Sequence, residues 1–278
     1  RGVASFGMLC SGKELQLSNE HDGIIELAED ATIGSQLVDH LGLKDIAIDI
    51  DLTPNRGDCL GIKGVATEVG VLTQSPLTPV EIKPVAASLT DTVKVNLKAP
   101  QANPRFVARV IKGINIKAET PEWMVTRLLA SDIRSIDPVV DVTNYVMLEL
   151  GHPMHAFDLK NIDGEVNVRY AAKGEVLTLL DEAKIELRED TLVVADDKKA
   201  LSMAGIMGGK DSGVAADTTD LLLEAAHWDP IAIAGKARSY GLHTDASHRF
   251  ERGVDYNLCA DTIERATQLL LEIVGGQA

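Results

Sequence analysis

No apolar run in this 278-residue sequence approaches the ~18 residues that a membrane-crossing helix needs, so no membrane partner is expected. Cysteine is scarce. Cys10, Cys59 and Cys259 lie far apart without a CxxC pair, which points to a reducing compartment and argues against structural zinc. Positive charge is also in short supply, with 27 Lys and Arg against 42 Asp and Glu for a net charge of -15. Such a surface repels a nucleic-acid backbone, so any RNA contact must use a local basic strip or lie elsewhere. The sequence lacks a GxSxG elbow, a Cys–His nucleophile pair and the glycine spacing of phosphate loops, which removes those routes to hydrolysis and nucleotide binding. No signal peptide opens the chain, which begins at Arg1 rather than Met; the expectation is a fragment of a longer cytoplasmic protein.

What is present suits a globular protein with a real core, 45% hydrophobic and 25% charged. The stretch from Ser75 to Asp91 holds three prolines, Pro76, Pro79 and Pro84, and no helical period. It divides the chain into a small unit over 1–75, a linker over 76–91 and a larger domain over 92–278. In the first unit, Ile46 to Leu52 (IAIDIDL) alternates as a half-buried strand does, TPNRGD reads as a turn, and CLGIKGVATEVGVLTQ has helical spacing. Beyond the linker, VKVNL, RFVARVIKGINI, VNVRY, EVLTLL, TLVVAD and DLLLEA read as strands. Thr120 and Pro121 are expected to cap and open a helix over EWMVTRLLAS. Asp229-Pro230 should open another that runs past Lys236 and Arg238 to Gly241, and a last helix, DTIERATQLLLEIV, should stop at Gly275-Gly276. Strands and helices do not alternate strictly, so the expected class is α+β.

Four segments could carry chemistry. Asp141 to Asp158 packs Thr143, Asn144, His152, His155 and Asp158 into eighteen residues. The two histidines are three apart with Pro153 between them, unlike the i, i+4 helical pair of zinc hydrolases, so a polar pocket competes with a metal site and with a plain loop histidine. Ala204, Gly205, Gly208 and Gly209 suggest backbone pressed against a ligand, or only a tight turn. Glu224 ends an apolar strand and is expected to be partly buried, where it must be paired or take up a proton. Gly235 to Asp255 gathers Lys236, Arg238, His243, His248, Arg249 and Arg252, for phosphate or for internal pairing with Asp245, Glu251 and Asp255. Arg134 is a possible anion contact or a salt-bridge partner of Asp132 or Asp137.

The stretches SFGMLCSGKELQLS, DLTPNRGDCLGI, IRSIDPVVDVTNYVMLELGHPMHAFD, AGIMGG, GLHTDASHRFERGVD and ERATQLLLEI, in this order, resemble bacterial phenylalanyl-tRNA synthetase β-subunits over nearly the whole chain. The resemblance implies part of the first β-subunit module followed by a B3/B4 domain, a β-rich core with flanking helices. It implies an editing function in which tyrosine wrongly attached to tRNA(Phe) is hydrolysed, with no phenylalanine activation by this piece alone. Carried over by position, His155, Thr143 and Asn144 surround the ester and its water. Glu224 reads the tyrosine hydroxyl, Ala204, Gly205 and Gly208 form one wall, Thr244 and Ala246 the opposite wall, and Arg134 lies near the substrate. His152 is a position that varies in the family, which implies no metal there. Implied partners are the α-subunit of an α2β2 heterotetramer, the acceptor end of tRNA(Phe), and tyrosine as ligand. No cofactor is expected in this piece; ATP and magnesium would serve the parent enzyme. Two other readings stay open, a structural or tRNA-docking module and a metal hydrolase built on His152, His155 and Asp158.

Overall fold

The structure is a computed structural model that describes residues 2, 4, 7–15, 17, 21–42, 44 and 46–278. Two compact units emerge, Arg1–Asp49 and Ile50–Ala278. In the first, turns dominate and the one helix among its described residues is α1 (Leu37–His40).

The second unit begins with α2 (Ile62–Thr73), β1 (Val95–Leu97), β2 (Arg105–Lys112), α3 (Glu122–Ala130) and α4 (Pro138–Leu150). Next come β3 (His155–Asp158), β4 (Val166–Tyr170), the hairpin strands β5 (Val176–Thr178) and β6 (Lys184–Glu186), β7 (Leu192–Ala195), β8 (Ala200–Met203) and β9 (Met207–Gly208). β10 (Asp220–His227), α5 (Pro230–Ile233), α6 (Lys236–Ser239), α7 (Asp245–Phe250) and α8 (Leu258–Ile273) complete it. The fold is α+β, as expected.

One sheet has the order β1-β4-β7-β8-β9, with β1 and β4 parallel and the other pairs antiparallel. The second is an antiparallel three-stranded sheet with β10 between β2 and β3. Strand β10 is buried on both faces. Leu221, Leu223 and Ala225 join the core beneath α4 and α8, while Leu222 and Ala226 join the core shared with the five-stranded sheet. The period of two therefore places Glu224 inward between the two sheets. Helix α4 has strong boundary chemistry. The Asp137 carboxylate accepts from the Val139 and Val140 N–H groups, Pro138 opens the helix, and Gly151 closes it at φ 80°.

Several expectations need correction. The unit boundary falls at Asp49/Ile50 rather than at residue 75, because α2 packs on α4. The stretch 76–91 forms neither helix nor strand, in keeping with the expected linker, but is tied down. Val85 N–H donates to Glu264, Ser88 and Leu89 donate to the carbonyl of Ala278, and Ile82 and Val85 lie against the helical core. Ile46 to Leu52 forms no strand, and Ile46, Ile48 and Ile50 are exposed; alternation makes an apolar edge but cannot supply a ladder. Thr120 is not the cap of α3, since its hydroxyl donates to Asp141 instead. The helix expected from Pro230 to Gly241 is split into α5 and α6 by Gly235 at φ 74°.

Candidate functional site

The antiparallel register sets Glu224 of β10 opposite His155 of β3. Cross-strand partners project to one face of the sheet, so carboxyl and imidazole stand side by side. His155 thus sits at the start of a strand, which sets aside the alternative of a plain loop histidine, and its ring packs edge-on against Phe157 at 4.5 Å. Both groups line one small recess of ≈ 70 Å³ that opens to solvent. That volume is enough for a few waters or part of one ring. Trp228 and Phe250 add aromatic wall, and Gly205, Gly208 and Ala246 add small residues.

Electrostatically the recess is a place of neutral polar groups. Glu224 is 6% exposed. Its Oε2 and the Nε2 of His155 are both buried without a hydrogen-bond partner. Loss of water pushes the Glu224 carboxyl up to about 8, and the same cause pushes His155 down to about 4. At neutral pH the carboxyl keeps its proton and the imidazole lacks its second one. Buried polar atoms are normally satisfied, and two unpartnered ones on residues that line one cavity make it a candidate site for a polar ligand.

The glycines are demanded by contact. A Cβ at Gly208 would stand 2.5 Å from His155 Cε1, and one at Gly205 would stand 2.8 Å from Trp228 Cδ1 in a backbone of φ 66°. The small-residue wall expected at Gly205 and Gly208 therefore serves close approach. Ala204 is buried behind it, outside the lining. Thr244 acts one step away. Its hydroxyl donates to the carbonyl of Ile206 at 2.9 Å, and it caps α7 in a reciprocal box with Ser247, so it fixes the turn at Gly205 and aims Ala246 into the recess.

Beyond Ala204 and Thr244, three more expected residues do not line the recess. Thr143 lies buried on α4 with its hydroxyl donating to Val140 O, Asn144 is half-buried on the same helix, and Arg134 is exposed on the loop before it. No ion pair joins Arg134 to Asp132 or Asp137 among the described residues, and Asp137 serves as helix cap. Trp228 and Phe250 were missed, although their signal was available. Trp228 continues the inward period of two beyond Glu224, and Phe250 is four residues after Ala246 on a helix.

The metal reading finds no set of ligands. His152 is fully buried, with Nδ1 2.8 Å from the carbonyl of Pro153 and Nε2 3.4 Å from the thiol sulfur of Cys259, so both ring nitrogens are engaged. Asp158 accepts from Thr218. The convergent donor group among the described residues is Asp58, Cys59 and Glu68, and the Arg56 guanidinium already donates to all three. A cation already fills that cluster. The lysine and arginines of the basic stretch likewise have internal partners, Lys236 pairing with Asp190. Arg249 pairs with Asp245 and donates to Leu60 O, while Arg238 and Arg252 share Glu251.

Comparison with known proteins places this geometry in context. The model of the B3/4 domain matches residues 102–275. Two curated relatives are 60% identical over the whole chain, the phenylalanine–tRNA ligase beta subunits of Colwellia psychrerythraea and Pseudoalteromonas translucida, and the chain covers 34% and 35% of them. The chain thus spans about a third of the length of the curated relatives it matches. Among solved structures, an N-terminal fragment of the phenylalanyl-tRNA synthetase beta-subunit from Pyrococcus horikoshii is 17% identical at TM-score 0.39, covering 65% of this chain and 56% of that one. No helix among the described residues is long and apolar enough to cross a membrane. With more than half of its length matched by the domain model and all of it aligned to those relatives, the chain belongs to the B3/4 domain family and is related throughout to phenylalanine–tRNA ligase β subunits.

Proposed function

We propose that this region hydrolyses tyrosine wrongly esterified to tRNA(Phe), as the editing part of a phenylalanine–tRNA ligase β subunit. The observation that carries the reading is the pair Glu224 and His155, joined across β10 and β3, each with a buried orphan atom in one recess. An apolar pocket rejects an added hydroxyl by only ~10², so a ligase selecting phenylalanine needs a second site that prefers the phenol. Glu224 supplies that preference. A tyrosine hydroxyl gives its carboxyl a partner, and phenylalanine leaves it unpaired at ~1–3 kcal/mol, about 5–150-fold in discrimination.

The chemistry then falls to a water beside the ester carbonyl. Its oxygen adds to the carbonyl carbon, the acyl C–O bond breaks, the ribose oxygen leaves with a proton, and tyrosine departs as the acid. An activated ester needs little more than orientation and oxyanion donors. His155, neutral at pH 7 with Nε2 free of other bonds, is suited to orient that water, and its low basicity argues against full proton removal. Roles for Thr143, Asn144 and Arg134 rest on the resemblance alone, since none of them lines the recess. Pairing with an α-subunit in an α2β2 enzyme, binding of the tRNA acceptor end, use of ATP and magnesium by the parent, and a cytoplasmic location belong to the same proposal.

The test uses the full-length protein with its α-subunit, and compares hydrolysis of tyrosyl-tRNA(Phe) and phenylalanyl-tRNA(Phe) by the unsubstituted and Glu224→Ala forms. The expected outcome is a tyrosyl preference that shrinks by about 5–150-fold in the variant. Retention of both rate and preference in Glu224→Ala refutes the assignment.

A further inference from the structure

One side chain beside Gly208, just outside the lining of the recess, has an exposure that packing does not explain. Leu180 follows β5 at the tip of the β5–β6 hairpin and is 52% exposed, while its neighbour Leu179 is fully buried. Single exposed leucines are ordinary; the setting of this one is not. Leu180 N–H donates to Gly208 O at 3.2 Å, Leu179 bridges Gly209, and Lys210 pairs with Glu182 at 2.7 Å on the far side of the tip. The hairpin tip is therefore pinned to the glycine wall from both sides.

The pinning brings the isobutyl group beside the imidazole. The point where a Gly208 Cβ would stand is 3.1 Å from Leu180 Cδ1 and 2.5 Å from His155 Cε1. Leucine and histidine thus both press on the place where a Gly208 side chain would stand. Glu224 is buried, His155 half-buried and Leu180 exposed, so the glycine between His155 and Leu180 adjoins the more solvent-exposed side of this group. An ester whose acyl ring reaches Glu224 and whose carbonyl stands at His155 must carry its alcohol half out past Gly208 and Leu180. For an aminoacyl-tRNA that half is a nucleoside, with a flat, weakly hydrated purine face.

We propose that Leu180 is a substrate-contacting residue, the apolar platform on which the terminal nucleoside of the ester rests while the amino acid occupies the Glu224–His155 recess. This deepens the editing assignment and rests on it. The platform selects for the nucleoside end and is indifferent to the amino acid.

The experiment takes the full-length protein, unsubstituted and as Leu180→Asp and Leu180→Met, with two substrates, tyrosyl-tRNA(Phe) and tyrosine ethyl ester, which has no nucleoside. Leu180→Asp should raise KM for the tRNA ester by about ten-fold with kcat nearly constant, the effect of losing the burial of roughly half a leucine. The ethyl ester should be cleaved as by the unsubstituted protein, which also shows that the site still folds, and Leu180→Met should restore the tRNA KM. An unchanged KM in Leu180→Asp overturns the platform. So does an equal loss on both esters, which would make Leu180 a packing support for Gly208 and His155. If the unsubstituted protein cleaves neither ester, the hydrolase assignment itself fails and the platform falls with it.

Discussion

Replacing Glu224 by Gln keeps the shape of the side chain and removes its titration, which isolates the physical basis of the site. The native carboxyl is held at about 8 against an ordinary 4.5, by loss of water alone. The sign follows from proton counting. Between pH 4.5 and 8 the unfolded chain has released this proton and the folded chain has kept it, so the folded state binds more protons and stability falls as pH rises. The stability is fully present below the unfolded value and is lost as pH climbs through the folded one. From pH 4.5 to pH 7 the loss is about 3 kcal/mol, each tenfold change in proton activity being worth about 1.4 kcal/mol. Glu224→Gln escapes that loss. The amide brings its own unsatisfied donors, at ~1–3 kcal/mol, but that cost does not change with pH and cancels in the comparison. Urea unfolding of both proteins at pH 5, 7 and 8.5 should show the variant gaining on the parent by about 2–3 kcal/mol between the first two values, and further at the third. Parallel stability profiles across this range would mean that Glu224 ionises as an ordinary surface carboxyl, and recognition of a phenol by a desolvated acid would then have no basis.

Two further substitutions test the walls and the acid limb. Gly208→Ala puts a methyl 2.5 Å from His155 Cε1 and 3.1 Å from Leu180 Cδ1, so the ring must shift; tyrosyl-ester hydrolysis should fall at least about ten-fold while a thermal melt registers a loss of only ~1–3 kcal/mol, and undiminished hydrolysis would place the ester elsewhere. His152 and His155 are both pushed down to about 4 by burial. Their stabilising effect is present above about 6.5 and is lost as pH falls toward 4. His152→Gln removes one of the two titrations, so the fall in melting temperature between pH 7 and pH 4 should be shallower than in the parent, and an identical fall would show that His152 is not desolvated.

Much of the fold was legible where an unbroken apolar period ran the whole length of an element. VNVRY and DLLLEA became strands β4 and β10, and the last helix stops at Ile273, just before Gly275. Patterns failed where the outcome hangs on something distant. IAIDIDL has the alternation of a strand, but alternation cannot say whether a neighbouring strand exists. Thr120 has the chemistry of a cap and spends its hydroxyl on Asp141, twenty-one residues away. The Asp229-Pro230 opening is right, as the Asp229 side chain accepts from Ile231 and Ala232 N–H, yet Gly235 turns left-handed and ends the helix early. At the site, His155, Glu224, Gly205, Gly208 and Ala246 were all named from sequence and resemblance, and all five meet in one recess. Trp228 and Phe250 escaped because an aromatic at core spacing reads first as core.

Under the proposed function, the position of Glu224 unites stability and selectivity in one quantity. An acidic residue stands at an inward place of a strand whose other members, from Leu221 to Ala226, are all buried and apolar. By folding criteria alone an aliphatic side chain there would be better, since a carboxyl without a partner raises the free energy of the native state. That penalty is also what a phenol can relieve and a bare phenyl ring cannot. On that reading, a more stable protein made by giving Glu224 an arginine partner, or by opening the recess to water, should lose the proposed preference in the same proportion. Selectivity by a desolvated acceptor is bounded by how much instability the rest of the fold carries, and here the two apolar cores on either face of β10 carry it.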